Sequence, residues 1–327
     1  MTLLLAGFFG GVAFGWASLK TNLCVMGGIT DIVLARDWRR FRAWLLAAAV
    51  ALAATEALRL AGLVHLTGTL YLDAGFGWVA AAVGSVLFGL GMTLAGGCAH
   101  RNLVRLGAGS AKALAVMVVM TACAWLVLRG PLAPLHKELA ALANPLLDAE
   151  SQSLAALIAP QHESTARSAL AFGLAAILLW ICFKDDWFRR SRRDIAAGIA
   201  IGAFVAYGWT ASSAFGTAPE SFNFVLPLAA AGGPFAIAAV PGVVVGAFLS
   251  VAFPWRFRIE RFAGRRDAAH NLVGAALMGT GGALALGCTI GQGVTGLSTL
   301  ATSSFIAWAG LIAGALLGVR YLESSVR

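Results

Sequence analysis

Charge is what this chain has least of. Only 12% of its 327 residues are Asp, Glu, Lys or Arg, while 59% are hydrophobic. A soluble domain carries about 25% charged residues, so too little polar surface exists here to cover a water-facing globule. Acid is scarcer than base, with 15 Asp and Glu against 24 Lys and Arg. Ala268–Val319 runs 52 residues without any of the four. One membrane helix needs roughly 20 apolar residues, so this stretch holds two spans and a remainder. With no carboxylate in it, proton-relay dyads and Na⁺ or Ca²⁺ cages are disfavoured there. A neutral or anionic solute fits better.

Cysteine is equally sparse. The five cysteines form no C-x-x-C and no Cys/His set with zinc spacing,. A disulfide framework of the kind found in small secreted domains is therefore excluded. His100 follows Cys98 by two residues, but two soft donors without a third do not make a metal site. The sequence calls for no metal or cofactor. The N-terminal MTLLLAGFFGGVAFGWASLK has no basic n-region and no small-residue cleavage site, so it reads as a first span and not as a signal peptide. The net charge of +9 sits between apolar runs, where it orients a membrane protein and does not indicate nucleic acid.

Nine spans are expected, near 3–19, 43–62, 76–96, 112–128, 168–183, 195–209, 235–253, 270–286 and 303–322. An outside N-terminus places twenty Lys and Arg residues on the inner side. Only Arg59, Arg129, Lys137 and Arg167 then face outward. By the positive-inside rule the N-terminus is periplasmic, the C-terminus cytoplasmic, and the chain a multi-pass protein of the bacterial inner membrane. Pro131–Gln161 reads as short amphipathic helices on the outer surface.

An internal repeat organises these spans. Val83–Val104 written over Val273–Val294 gives ten identities in 22 positions without a gap, and Gly97-Cys98 falls on Gly287-Cys288. A weaker echo sets Ala13-Phe14-Gly15-Trp16 against Ala206-Tyr207-Gly208-Trp209, which places the mate of Cys24 near Gly216 or Thr217. The expected architecture is all-α and integral to the membrane: one transmembrane domain over 1–327. Residues 1–128 form a first repeat, 129–194 an outer segment plus connecting span, and 195–327 an inverted second repeat. Inverted repeats are characteristic of transporters whose sites lie at the midplane on broken helices.

The broken helices are legible as well. Thr289–Ser303 is too short and polar to cross a bilayer, and irregular backbone at membrane depth persists only where it is buried or lines a cavity. A re-entrant loop with a short helix satisfies that constraint. Asn22–Leu34 reads the same way, with Thr210–Gly233 as its inverted counterpart. Cys24, Cys98 and Cys288 stand at these breaks, and Cys24 and Cys288 each open a C-x-x-G. A helix starting there turns its free N–H groups toward an anion, and a thiol adds a soft, weakly hydrogen-bonding group. The three cysteines are the candidate transport residues. Gly97, Arg101, Gly287, Gly291 and Gln292 are further candidates. Cys123 and Cys182 sit mid-span among bulky apolar residues and read as packing.

Around these residues the chain resembles the YeeE/YedE sulfur-transport family, through TNLCVMGG at Cys24, LAGGCAHRNLVRLG at Cys98 and LGCTIGQGVTGLS at Cys288. The resemblance implies a non-enzymatic importer of thiosulfate or a related sulfur anion, relayed by the thiols of Cys24, Cys98 and Cys288 through a central constriction. It also implies a small cytosolic TusA-like sulfur carrier as partner. Ala99-His100-Arg101 departs from C-x-x-G after the second cysteine. The residues alone leave open a transporter of a selenium or other sulfur compound, or a membrane enzyme that transfers thiol or persulfide.

Overall fold

The computed structural model describes residues 1–73, 77–141, 151–215, 218–252 and 259–324. Fourteen α-helices and no β-strand occur among them. In chain order these are α1 (Thr2–Thr21), α2 (Val25–Ala35), α3 (Arg39–Leu60), α4 (Trp78–Leu94), α5 (Ala99–Gly107), α6 (Ala111–Leu128) and α7 (Ala133–Ala141). There follow α8 (Leu154–Ile158), α9 (Glu163–Phe183), α10 (Asp186–Arg190), α11 (Arg192–Phe215), α12 (Pro234–Ala252), α13 (Arg265–Leu284) and α14 (Thr302–Ser324).

Eight segments are long and apolar enough to cross a bilayer, and the chain is an all-α integral membrane protein. Each of the nine expected spans coincides with a long helix. The one outside the eight is α13, whose first turns carry Arg265, Arg266, Asp267 and His270. Its polar start is anchored, because Lys112 Nζ donates to Asp267 at 2.7 Å. The helix α11 also exceeds expectation, running through Thr210 to Phe215 before residues 218–233 turn without a helix. The expected inverted counterpart of Asn22–Leu34 thus has no short helix among its described residues. Gly216, Thr217, Arg256, Arg258, Arg327 and part of the outer segment (142–150) lie outside the described residues.

Small residues decide how these helices pack. Without a hydrophobic driving force between helices in lipid, close backbone approach supplies the contact energy. On α1, Gly7, Gly11 and Gly15 recur every four residues and lie on the backbone of Phe235, Ala239 and Val243 of α12, which recur likewise. On α11, Gly198 and Gly202 lie on Ala43 and Ala47 of α3. At the centre, α4 and α13 cross antiparallel. Gly84 meets Gly281, and Gly91 meets Gly274. The flanking helix α14 packs on α4, and α6 packs on α13. Each of these contacts has its mirror once α1 is matched with α11, α3 with α12, α4 with α13 and α6 with α14.

The connecting helix α9 is held at both ends by charge. Glu56, 1% exposed, accepts from Arg59, from Arg167 Nε at 3.2 Å and from Ser168 Oγ at 2.7 Å. At the other end Arg42 pairs with Asp185 at 2.5 Å. The Phe188 N–H, aided by Arg42, holds the Asp185 carboxyl below the usual carboxylate range.

Candidate functional site

Three loops build the site, and they share one local form. A helix ends, a residue two before the cysteine takes left-handed backbone, and a cysteine follows. Those left-handed residues are Asn22 (φ 58°), Gly96 (φ 66°) and Leu286 (φ 53°). The second and third turns are equivalent in hydrogen bonding as well. Gly97 N donates to Met92 O and Gly287 N to Gly282 O, both at 2.9 Å, which is the six-to-one closure of a helix C-terminus. Leucine disfavours left-handed backbone, so Leu286 keeps the turn of its mate Gly96 at a local cost.

After the turn each cysteine opens a new segment. Cys24 caps α2 and Cys98 caps α5. Cys288 leads into a short π-helical stretch over Gly291–Gly296. In both C-x-x-G motifs the sulfur accepts from the glycine N–H three residues on, at 3.4 Å from Gly27 N and 3.4 Å from Gly291 N. Arg101 replaces that glycine after Cys98. There the sulfur sits 3.1 Å from His100 Nδ1.

The three cysteines are free thiols, buried and gathered together. Cys24 lies against Cys98. Cys98 lies against the side chain of Thr289 and within electrostatic reach of Cys288. His100 is fully buried and places Nε2 3.4 Å from the Leu23 carbonyl. A carbonyl only accepts, so Nε2 carries the proton of the neutral ring and Nδ1 accepts from the Cys98 S–H. The bonds on either side of the Cys24–Cys98 contact are then Gly27 N–H to Cys24, Cys98 S–H to His100, and His100 back to the residue before Cys24. Phe14 and Phe224 enclose the ring.

The further candidates fall around these thiols in different roles. Gln292 Nε2 donates to Ala285 O at 2.5 Å and its Oε1 accepts from Ser304 Oγ at 2.6 Å, so its amide braces the loop. Gly291 and Gly287 leave room for Asn223 and Gln292 respectively. Gly97 gives its carbonyl to Asn102 Nδ2 at 2.8 Å and its open side to Arg101. Arg101 Nη2 donates to Asn22 Oδ1. Cys182 donates to Arg42 O at 3.3 Å from the connecting helix α9.

Sequence reasoning missed Tyr71 and Asn223. Asn223 Nδ2 donates to Tyr71 Oη at 3.1 Å and to Leu286 O at 3.2 Å, and Oδ1 accepts from Val225 N at 3.0 Å. Both residues also line a cavity of ≈ 870 Å³. Asn223 thus joins the lining of that cavity to the loop of Cys288 through Leu286 O. Its described lining includes Asp73 and Glu220 and no Lys, Arg or His side chain. A lone Asn in an irregular segment carries no periodic signal, and only its place among polar residues within an apolar chain marks it.

A family model described as Sulphur transport matches residues 20–317. The chain is also similar to the thiosulfate transporter TsuA of Escherichia coli strain K12, at 27% identity over 95% of this chain and 91% of that protein.

Proposed function

Because the chain belongs to the Sulphur transport family, we propose that it imports thiosulfate or a closely related sulfur anion across the inner membrane, handing it between thiols at a central constriction. The observation that carries this reading is the convergence of Cys24, Cys98 and Cys288, all free and buried, from three separate loops. Thiosulfate has a soft terminal sulfur, and neutral thiols offer it polarisable partners without repelling its charge. The route begins in the cavity ending at Tyr71 and Asn223, passes Cys288 and then Cys98 with Cys24, and leaves toward α5. The reciprocal helix contacts support reading the halves as inverted repeats. No step requires a covalent intermediate, so the protein acts as a transporter and not as an enzyme. A small TusA-like carrier is the proposed cytosolic acceptor of the sulfur.

The direct test is growth of a strain unable to take up sulfate, with thiosulfate as the sulfur source. Cells carrying the protein are expected to grow and cells without it are not. Equal growth would sink the assignment. Orientation has its own test. A reporter after Arg327 is expected to read cytoplasmic and one near Asp148 periplasmic, both positions lying outside the described residues. A cytoplasmic signal near Asp148 would overturn the outward N-terminus and, with it, the inverted-repeat reading.

A further inference from the structure

Three guanidinium groups gather on the α5 side of the thiols, and they are not equivalent. Arg105 Nη2 is bonded to Glu260 at 2.6 Å. Arg40 Nε lies 3.4 Å from Asp31. Arg101, the one nearest the cysteines, forms no ion pair among the described residues; its electrostatic neighbours are Cys24, Cys98, Arg105 and Arg40. Its Nη2 is held by the Asn22 amide oxygen, while Nη1 is fully enclosed and has no hydrogen-bond partner. Arg101 is partly exposed as a residue, so it is the enclosed and orphaned Nη1 donor that carries a cost,. Thr289, whose side chain lies against Cys98, places a further enclosed hydroxyl beside the thiols.

We propose that Arg101, aimed by Asn22, is the binding residue for the oxyanion end of the substrate, and that it selects small divalent anions at the inner side of the thiols. The proposal rests on the transport reading above and adds an orientation. The soft sulfur faces Cys98 and Cys24, while the oxygens face Nη1. A guanidinium suits this role because its fork presents N–H groups in fixed geometry to oxyanions. Asn22 fits as holder for a specific reason. Its side chain is neutral, so it fixes the fork without cancelling the charge, and its left-handed backbone directs it from the end of α1. The cavity at Tyr71 and Asn223 carries no Lys, Arg or His side chain in its described lining, whereas the α5 side of the thiols holds three guanidinium groups.

The test uses the full chain in nanodiscs, in a buffer whose anion is gluconate, titrated with thiosulfate or with sulfate. Binding is read by calorimetry and by the shift in unfolding temperature. Arg101→Gln is expected to weaken thiosulfate binding about ten- to hundredfold, the worth of a charge-assisted hydrogen bond. Asn22→Asp keeps Arg101 but places a carboxylate against it, and is expected to produce a comparable loss. Arg101→Lys keeps the charge and is expected to lose less than Arg101→Gln. Asn22→Asp also covers the case in which Arg101→Gln does not fold. Thiosulfate affinity within twofold of wild type in either folded variant overturns the proposal. Stabilisation by sulfate but not thiosulfate, lost in Arg101→Gln, would reject the thiosulfate reading and uphold the subsite. Equal stabilisation of wild type and Arg101→Gln by thiosulfate would do the reverse.

Discussion

Thiosulfate uptake falls to the level of cells lacking the protein when Cys24, Cys98 or Cys288 is replaced by Ala, with membrane expression retained: this is the first expected result. Each substitution removes a soft group from the narrow part of the route and leaves only a methyl group in its place. Cys98 is the most connected of the three, since it lies against Cys24, Thr289 and His100. Serine tests softness separately from hydrogen bonding. It keeps a donor of similar size but not the polarisable sulfur, so Cys98→Ser is expected to retain less uptake than wild type and more than Cys98→Ala. Cys123→Ala and Cys182→Ala serve as controls and should transport nearly normally, because small apolar swaps usually cost less than about 1.5 kcal/mol. An impermeant thiol reagent added outside should reach Cys288 before Cys98, and thiosulfate should slow that reaction. Normal uptake by the Cys98→Ala, Cys288→Ala double variant would end the thiol relay.

The second large effect concerns folding. Gly84→Val and Gly281→Val are expected to leave little correctly folded protein, read as loss of the monodisperse peak on size exclusion and a lowered unfolding temperature. A Cβ at Gly84 would stand 2.6 Å from both Gly281 O and Ala285 N. Backbone cannot give way as a flexible side chain can. Overpacking typically costs 1–3 kcal/mol, and here it falls where two backbones touch without intervening side chains. Gly173 on α9 is the contrast, since a Cβ there meets nothing within 4 Å. Gly173→Ala should be neutral or stabilising by up to about 1 kcal/mol, the helix-propensity difference. Wild-type stability in Gly84→Val would mean that the α4–α13 crossing is not the close contact described.

Much of this fold was open to reading from residues alone. Hydropathy located a long helix at every expected span, because a bilayer leaves few other ways to satisfy backbone polar groups. The boundaries proved harder. The start of α13 at Arg265 was hidden because charged residues end an apolar run long before they end a helix. The extension of α11 to Phe215 was hidden because Thr210, Ser212 and Ser213 resemble a loop while their hydroxyls find partners in the folded chain: Thr210 on Ala206 O, Ser212 on Trp209 O and Glu220 O, and Ser213 from His65 N. At the site, the ten-identity repeat marked Cys98 and Cys288, and the glycine three residues on marked Cys24 and Cys288. What local pattern does not reveal is pairing across the chain: Asn22 on Arg101, Asn223 on Tyr71, His100 on Leu23. Each joins residues more than 70 positions apart.

The glycine crossing also restricts how the molecule moves. With Gly84 seated on Gly281 and Gly91 on Gly274, α4 cannot slide along α13 by a residue, a step of 1.5 Å, without driving larger side chains into backbone. The two helices must travel as a rigid block, and the neighbours locked to them by glycine contacts travel with it. Any opening that admits a substrate is therefore expected outside this block, and among the segments outside it the strained Leu286 turn is the hinge to test first. Amide hydrogen exchange would register this as slow exchange along α4 and α13 and faster exchange at residues 22–24, 96–98 and 286–290, accelerated or quenched by substrate. Uniform protection across turns and helices alike would place the hinge elsewhere.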